Sequence, residues 1–94
     1  MPDARRLARI FRALSAEPRV CILLLLKEKA LCVNALAARL GMTPSAVSQH
    51  LRILRAVELV MPDKRGYYVH YALHRPALRR WRGLIGRLLE TGRE

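Results

Sequence analysis

Ninety-four residues at 10.8 kDa make one domain, since domains typically run about 100–150 residues. Hydrophobic residues are 52% and charged residues 27%, a globular and not a disordered composition, and the longest apolar run, 20–26, is far shorter than the roughly 20 residues of a membrane span. Eighteen Lys and Arg against seven Asp and Glu leave a net charge of +11, which points to a polyanionic partner, nucleic acid first, with a solubilising basic surface as the competing reading.

The first helix is expected over about 3–14, with Asp3 as N-cap. Leu7, Ile10, Phe11 and Leu14 follow the i, i+3, i+4, i+7 pattern, and Arg5, Arg6, Arg9 and Arg12 fall opposite. Ser15 is the expected cap of a second helix over about 16–29, with Pro18 tolerated in its first turn. The run VCILLLL covers more than one face, so this helix is expected to be central and buried. A short third helix over about 33–40 stops at Gly41, a C′ residue. Thr43 as cap and Pro44 at the first position open a fourth helix over about 44–57. The period then changes to two. A wing over about 59–73 is expected: a strand at 59–61, the turn PDKRG, and a second strand with Tyr67, Val69, Tyr71 and Leu73 on one face. Pro76 opens a fifth helix over about 76–90, with Leu78, Trp81, Leu84, Ile85, Leu88 and Leu89 on one side.

The expected fold is mostly α with a small β-hairpin wing, five helices in the order α-α-α-α-β-β-α. Helix, Gly turn, helix and a basic-tipped hairpin is the winged helix-turn-helix order, in which the second helix of the pair enters the major groove. Spaced at about 100° per residue, Val47, Leu51 and Leu54 cluster on one side of the fourth helix, and Ser45, Ser48, Gln49 and Arg52 on the other. Short hydroxyls, one amide and one Arg suit base edges, where Gln pairs with adenine and Arg with guanine. A merely solvated face more typically carries Glu and Lys. Thr43, His50, Lys64 and Arg65 complete the candidate DNA-binding set. His50 lies near the apolar edge, so packing competes with base contact. Lys64 and Arg65 at the hairpin tip suit phosphates, or simply keep the turn soluble.

The stretch LCVNALAARLGMTPSAVSQHLRILRAVELV followed by RGYYVHYAL resembles the ArsR/SmtB family of bacterial winged-helix repressors. The family's VSxHLxxL core is matched by Val47, Ser48, His50, Leu51 and Leu54, and its wing Gly and Tyr by Gly66 and Tyr71. The resemblance covers about 7–90. It implies a homodimer built from the first and last helices, double-stranded DNA with an inverted-repeat operator as partner, and release by an inducer. The residues support the dimer independently. Apolar faces on two terminal helices exceed what one small domain covers, and an uncovered patch marks an interface. The candidate interface residues are Leu7, Ile10, Phe11, Leu78, Trp81, Ile85 and Leu88. Two-fold symmetry then sets the recognition helices one DNA turn apart, roughly 34 Å.

Family members that sense soft metals pair two thiolates in an ELCVC motif at the third helix. This chain reads ALCVN: Cys32 matches the first thiol, Asn34 the second, and Ala30 replaces the acid. Soft-metal sites take several thiolate or imidazole ligands, so Cys32 reads better as a small helix-capping residue than as a ligand. The fifth helix has no His and no Asp, and His70 and His74 read as surface or strand residues. No cofactor is expected, and a metal or metalloid inducer lacks a complete ligand set. Cys21 reads as a small core or boundary residue, too distant along its helix to bridge Cys32. Glu58 stands where relatives usually have Gly, at a cost of the order of 1 kcal/mol if the turn needs positive φ. Without a secretory signal at the N-terminus, a cytoplasmic protein is expected. Two other readings stay open: an arsenite- or soft-metal-responsive repressor using Cys32, and a winged-helix interaction module without sequence-specific DNA binding. An enzyme finds no Ser-His-Asp set, phosphate loop or paired carboxylates to build on.

Overall fold

The apolar phases of four helices converge on one core. A computed structural model describes residues 1–92 as α1 (Pro2–Ala13), α2 (Glu17–Leu26), β1 (Leu31–Cys32), α3 (Val33–Leu40), α4 (Pro44–Ala56), β2 (Val60–Arg65), β3 (Tyr68–Leu73) and α5 (Arg75–Leu89). Ile10 of α1, Ile22 and Leu26 of α2, Leu36 of α3, and Val47, Leu51 and Leu54 of α4 are almost wholly buried together. Leu59 and Val60 close this core from the wing side.

The five helices and the hairpin stand where the pattern places them, and the structure adds one strand. The sheet is three-stranded and antiparallel in the order β1-β3-β2. Leu31 pairs with Tyr71, and Cys32 with His70. A two-residue strand has no period to read, so this pairing left no mark in the sequence. The hairpin is also longer and tighter than expected. Val60 pairs with Leu73 and Arg65 with Tyr68, which leaves Gly66 and Tyr67 as a two-residue turn. Gly66 has φ 64° and Tyr67 does not share the positive φ, the pattern of a type II′ turn. Tyr67 is therefore the exposed tip of the wing and not a member of the β3 face. Pro62 is tolerated because β2 is an edge strand.

Three local expectations are corrected. α1 starts one residue earlier: Asp3 lies in its first turn, and Met1 occupies the cap position. Ser15 does not cap α2. Its hydroxyl donates to the carbonyl of Arg12 at 2.7 Å, closing the end of α1. The apolar run of α2 is buried on one face only. Ile22 and Leu26, four residues apart, enter the core, while Val20 and Leu24 (57% exposed) face out. A domain this small has no second layer to cover the far side of α2.

The end of α3 and the start of α4 follow the predicted caps. The N–H of Ala46 donates to Thr43 Oγ1 at 3.1 Å. α3 ends at Gly41 with φ 65°. α4 ends in a full Schellman motif: the Glu58 N–H donates to the Arg55 carbonyl at 2.9 Å, and the Leu59 N–H to the Leu54 carbonyl at 3.0 Å. Glu58 itself takes φ 62°, so the chain does carry a left-handed glutamate at the hinge between α4 and β2. Its carboxylate reaches Arg80 at 3.5 Å, but both groups are exposed and such a pair contributes little. Glu58→Gly should therefore stabilise the domain by about 1 kcal/mol, a rise in Tm of about 4–8 °C. Thermal unfolding followed by circular dichroism checks it; an unchanged or lower Tm would show that the ion pair outweighs the backbone cost.

Candidate nucleic-acid interface

α4 is presented by its own apolar side. Val47, Leu51 and Leu54 are buried to within a percent, and these three anchors fix the rotation of the helix about its axis. Ser45, Ser48, Gln49 and Arg52 consequently lie exposed, as the spacing predicts. None of the four makes a hydrogen bond to another described side chain, so their donors and acceptors are open to a ligand. Thr43 at the head of the helix is exposed as well. Its oxygen accepts the capping bond, and its hydroxyl proton stays available to a phosphate.

His50 belongs to the support. It is half-buried, and its Nδ1 lies 3.3 Å from Nη1 of Arg19. A guanidinium only donates, so Nδ1 accepts. Of the two roles open to His50, packing is the one built into the fold. Arg19 was not singled out in the sequence, yet it ties three elements together. Its Nε donates to the Ala13 carbonyl at 2.6 Å, and its Nη2 to the Arg12 carbonyl at 3.3 Å. Those carbonyls close α1, where a cation is also favoured by the helix dipole. One guanidinium at the start of α2 thus joins the end of α1 to the back of the recognition helix. The bonds span 6, 7 and 31 residues, and no local pattern signals them.

The wing divides the two tip cations. Lys64 and Arg65 are both exposed, but they lie on β2 and not in the turn. Arg65 donates from Nε and Nη2 to Asp63 Oδ2 at 3.1 and 3.0 Å, which holds it along the strand and offsets its charge. Lys64 has no such partner among the described residues. Tyr67 stands beyond both at the tip.

The expected dimer face divides as well. Leu7 and Ile10 are buried within the protomer and cannot serve an interface. Leu78 and Trp81 are half-buried against the protomer's own core, and Ile85 is also half-buried. Phe11 (42% exposed) and Leu88 (54% exposed) remain open. Leu89, which the candidate set omitted, is more exposed than either. Amphipathicity is local and legible, but which half of a wide apolar stripe meets the chain's own core is decided by tertiary packing.

The remaining singled-out residues lie outside the α4 stripe. Cys21 and Cys32 are free and half-buried. Cys32 occupies the N-cap position of α3 without a side-chain capping bond. His74 is the N-cap of α5, its Nδ1 accepting from the Ala77 N–H at 3.3 Å, a role the sequence reading did not give it. Among the described residues, no group of three or more His, Cys, Asp or Glu is placed to hold a metal ion. No helix there is long and apolar enough to cross a membrane.

A helix pair with an outward polar stripe, followed by a hairpin wing that pairs with a short strand before the pair, defines a winged helix-turn-helix protein. Residues 17–61 match the bacterial regulatory protein, arsR family, and the chain belongs to that family. It is 38% identical over 73 residues to a transcriptional repressor SmtB homolog of Synechocystis, covering 78% of this chain and 55% of that protein. An ArsR-like transcriptional regulator from Rhodococcus superposes with a TM-score of 0.82 at 31% identity, covering 94% of this chain and 83% of that one. A homodimeric winged helix-turn-helix DNA-binding domain from Mycobacterium bovis superposes with a TM-score of 0.76 at 27% identity, covering 90% and 79%. The chain spans about half the length of the curated relatives it matches.

Arg19→Ala should destabilise the fold by about 1–3 kcal/mol, because it removes bonds from a charged donor. Arg19→Lys should recover only part of this, since a single ammonium cannot serve three acceptors in the guanidinium's fork geometry. Urea unfolding of the three proteins checks both; full recovery by Lys would reduce Arg19 to a point charge.

Proposed function

We propose that this chain is a DNA-binding transcriptional repressor that acts as a homodimer on an inverted-repeat operator, with α4 as the reading helix. One observation carries the reading: Val47, Leu51 and Leu54 lock α4 so that Ser45, Ser48, Gln49 and Arg52 face outward together. Those side chains have the donors and acceptors that base edges match. Thr43, Lys64 and the exposed Tyr67 flank them and serve the backbone or groove wall. The net charge of +11 supplies the sequence-independent part of the affinity. Most of it sits on the terminal helices, while α4 and the wing are only mildly basic. The bulk of the charge therefore steers approach, and the stripe on α4 discriminates sequence.

Phe11, Leu88 and Leu89 are exposed apolar side chains on the two terminal helices, and a second copy would cover them. The M. bovis relative is homodimeric by its own description, which supports the same arrangement here. Release by an inducer belongs to the proposal. The reading assigns the chain no resident cofactor and no enzymatic step.

Gln49→Ala and Arg52→Ala should each weaken operator binding by about 1–3 kcal/mol and relax specificity at one base position. Gel shifts on the promoter region of the chain's own gene, against scrambled DNA of equal length, test this. Equal losses on both DNAs would remove base reading from α4 and favour a module that binds without sequence preference. Leu88→Asp should shift the chain toward monomer in sedimentation equilibrium and weaken operator binding with it; an unchanged dimer would place the interface elsewhere.

A further inference from the structure

None of the residues lining the groove between α2 and α5 belongs to the candidate DNA-binding set. Its volume is about 480 Å³, within the range of small-ligand sites. Leu23 of α2, Leu73 at the end of β3 and Leu78 of α5 line it, each half-buried against the core. Four cations edge it: Lys27 at the C-cap of α2 and Arg75, Arg79 and Arg82 of α5. Among the described residues, no acidic side chain lines it. None of the four cations makes a side-chain hydrogen bond or ion pair among the described residues.

That arrangement is electrostatically unfavourable while empty. Arg75, Arg79 and Arg82 stand at i, i+4 and i+7, one face of α5, and like charges at that spacing repel. Arg75 and its neighbours also sit at the start of a 15-residue helix with no acid in its first turn, where the dipole is already positive. An anion between them relieves both effects. A bare phosphate would satisfy the cations but leave the leucine floor wet. A second copy of this chain would bring another +11 to a basic face.

We propose that this groove binds an amphipathic organic anion. Arg75 and Arg79 hold its carboxylate, and Leu23 and Leu78 cover an aromatic or short aliphatic body. Guanidinium forks suit a carboxylate in paired hydrogen bonds, and partly buried leucines beside them suit an apolar body attached to it. The proposal stands independently of the repressor reading, since binding is measured without DNA.

Calorimetric titration of the full chain with 2-naphthoate, and with the neutral isostere naphthalene-2-carboxamide, tests it. The expected result is one naphthoate per chain, bound at least tenfold more tightly than the amide and at least tenfold more tightly than inorganic phosphate. The double variant Arg75→Gln/Arg79→Gln should lose the preference for the acid while keeping its circular dichroism spectrum. Equal binding of acid and amide to the unsubstituted chain overturns the proposal without any variant. So does no binding at millimolar naphthoate, or a preference that survives in a folded double variant. Displacement of naphthoate by scrambled duplex DNA in proportion to the DNA bound would assign the groove to a nucleic-acid backbone and overturn it as well.

Discussion

The burial of Val47, Leu51 and Leu54 is the constraint on which the rest of the molecule depends. A helix is free to rotate about its axis until its apolar stripe finds partners. Here Ile22, Leu26 and Leu36 supply them, and the rotation is fixed. Every statement about Ser45, Ser48, Gln49 and Arg52 follows from that one packing event. Emptying the core at Leu51 would cost about 2–5 kcal/mol, a large fraction of a small domain's stability.

Two devices hold the reading helix at its ends. At the head, Thr43 satisfies a backbone donor and Pro44 presets the first turn. At the tail, a Schellman motif reverses the chain into β2 through a left-handed glutamate. The strain at Glu58 lies where the helix hands over to the wing, so it bears on the angle between the two elements that flank a duplex. Arg19 adds a third restraint from behind. Because it also closes α1, one guanidinium bridges a helix with an open apolar side chain, Phe11, to α4. Under the function proposed above, that bridge would tie subunit pairing to DNA reading.

The charge distribution divides labour in a similar way. Arginines crowd the terminal helices, where some contribute to diffuse attraction and others edge the groove between α2 and α5. The wing keeps one cation open in Lys64 and neutralises its neighbour against Asp63. In the proposed function, affinity for a polyanion and discrimination of sequence thus fall to different parts of a chain under a hundred residues long.

The features legible in the amino acids alone are those whose cause is local. The phase of α4, its Thr-Pro start, the stop at Gly41 and the existence of the wing each depend on residues within one or two turns of one another. The site stripe was readable for the same reason: a 3.6-residue period with three aliphatic residues on one side leaves the other side determined. Tertiary structure alone decided the pairing of Leu31 with Tyr71, the Arg19–His50 contact, the burial of Ile10 and the exposure of Leu24 and Leu88. Each is a meeting, or a failure to meet, between groups far apart in the chain. An apolar residue shows only that it seeks cover; which surface provides it is set by how the whole chain closes.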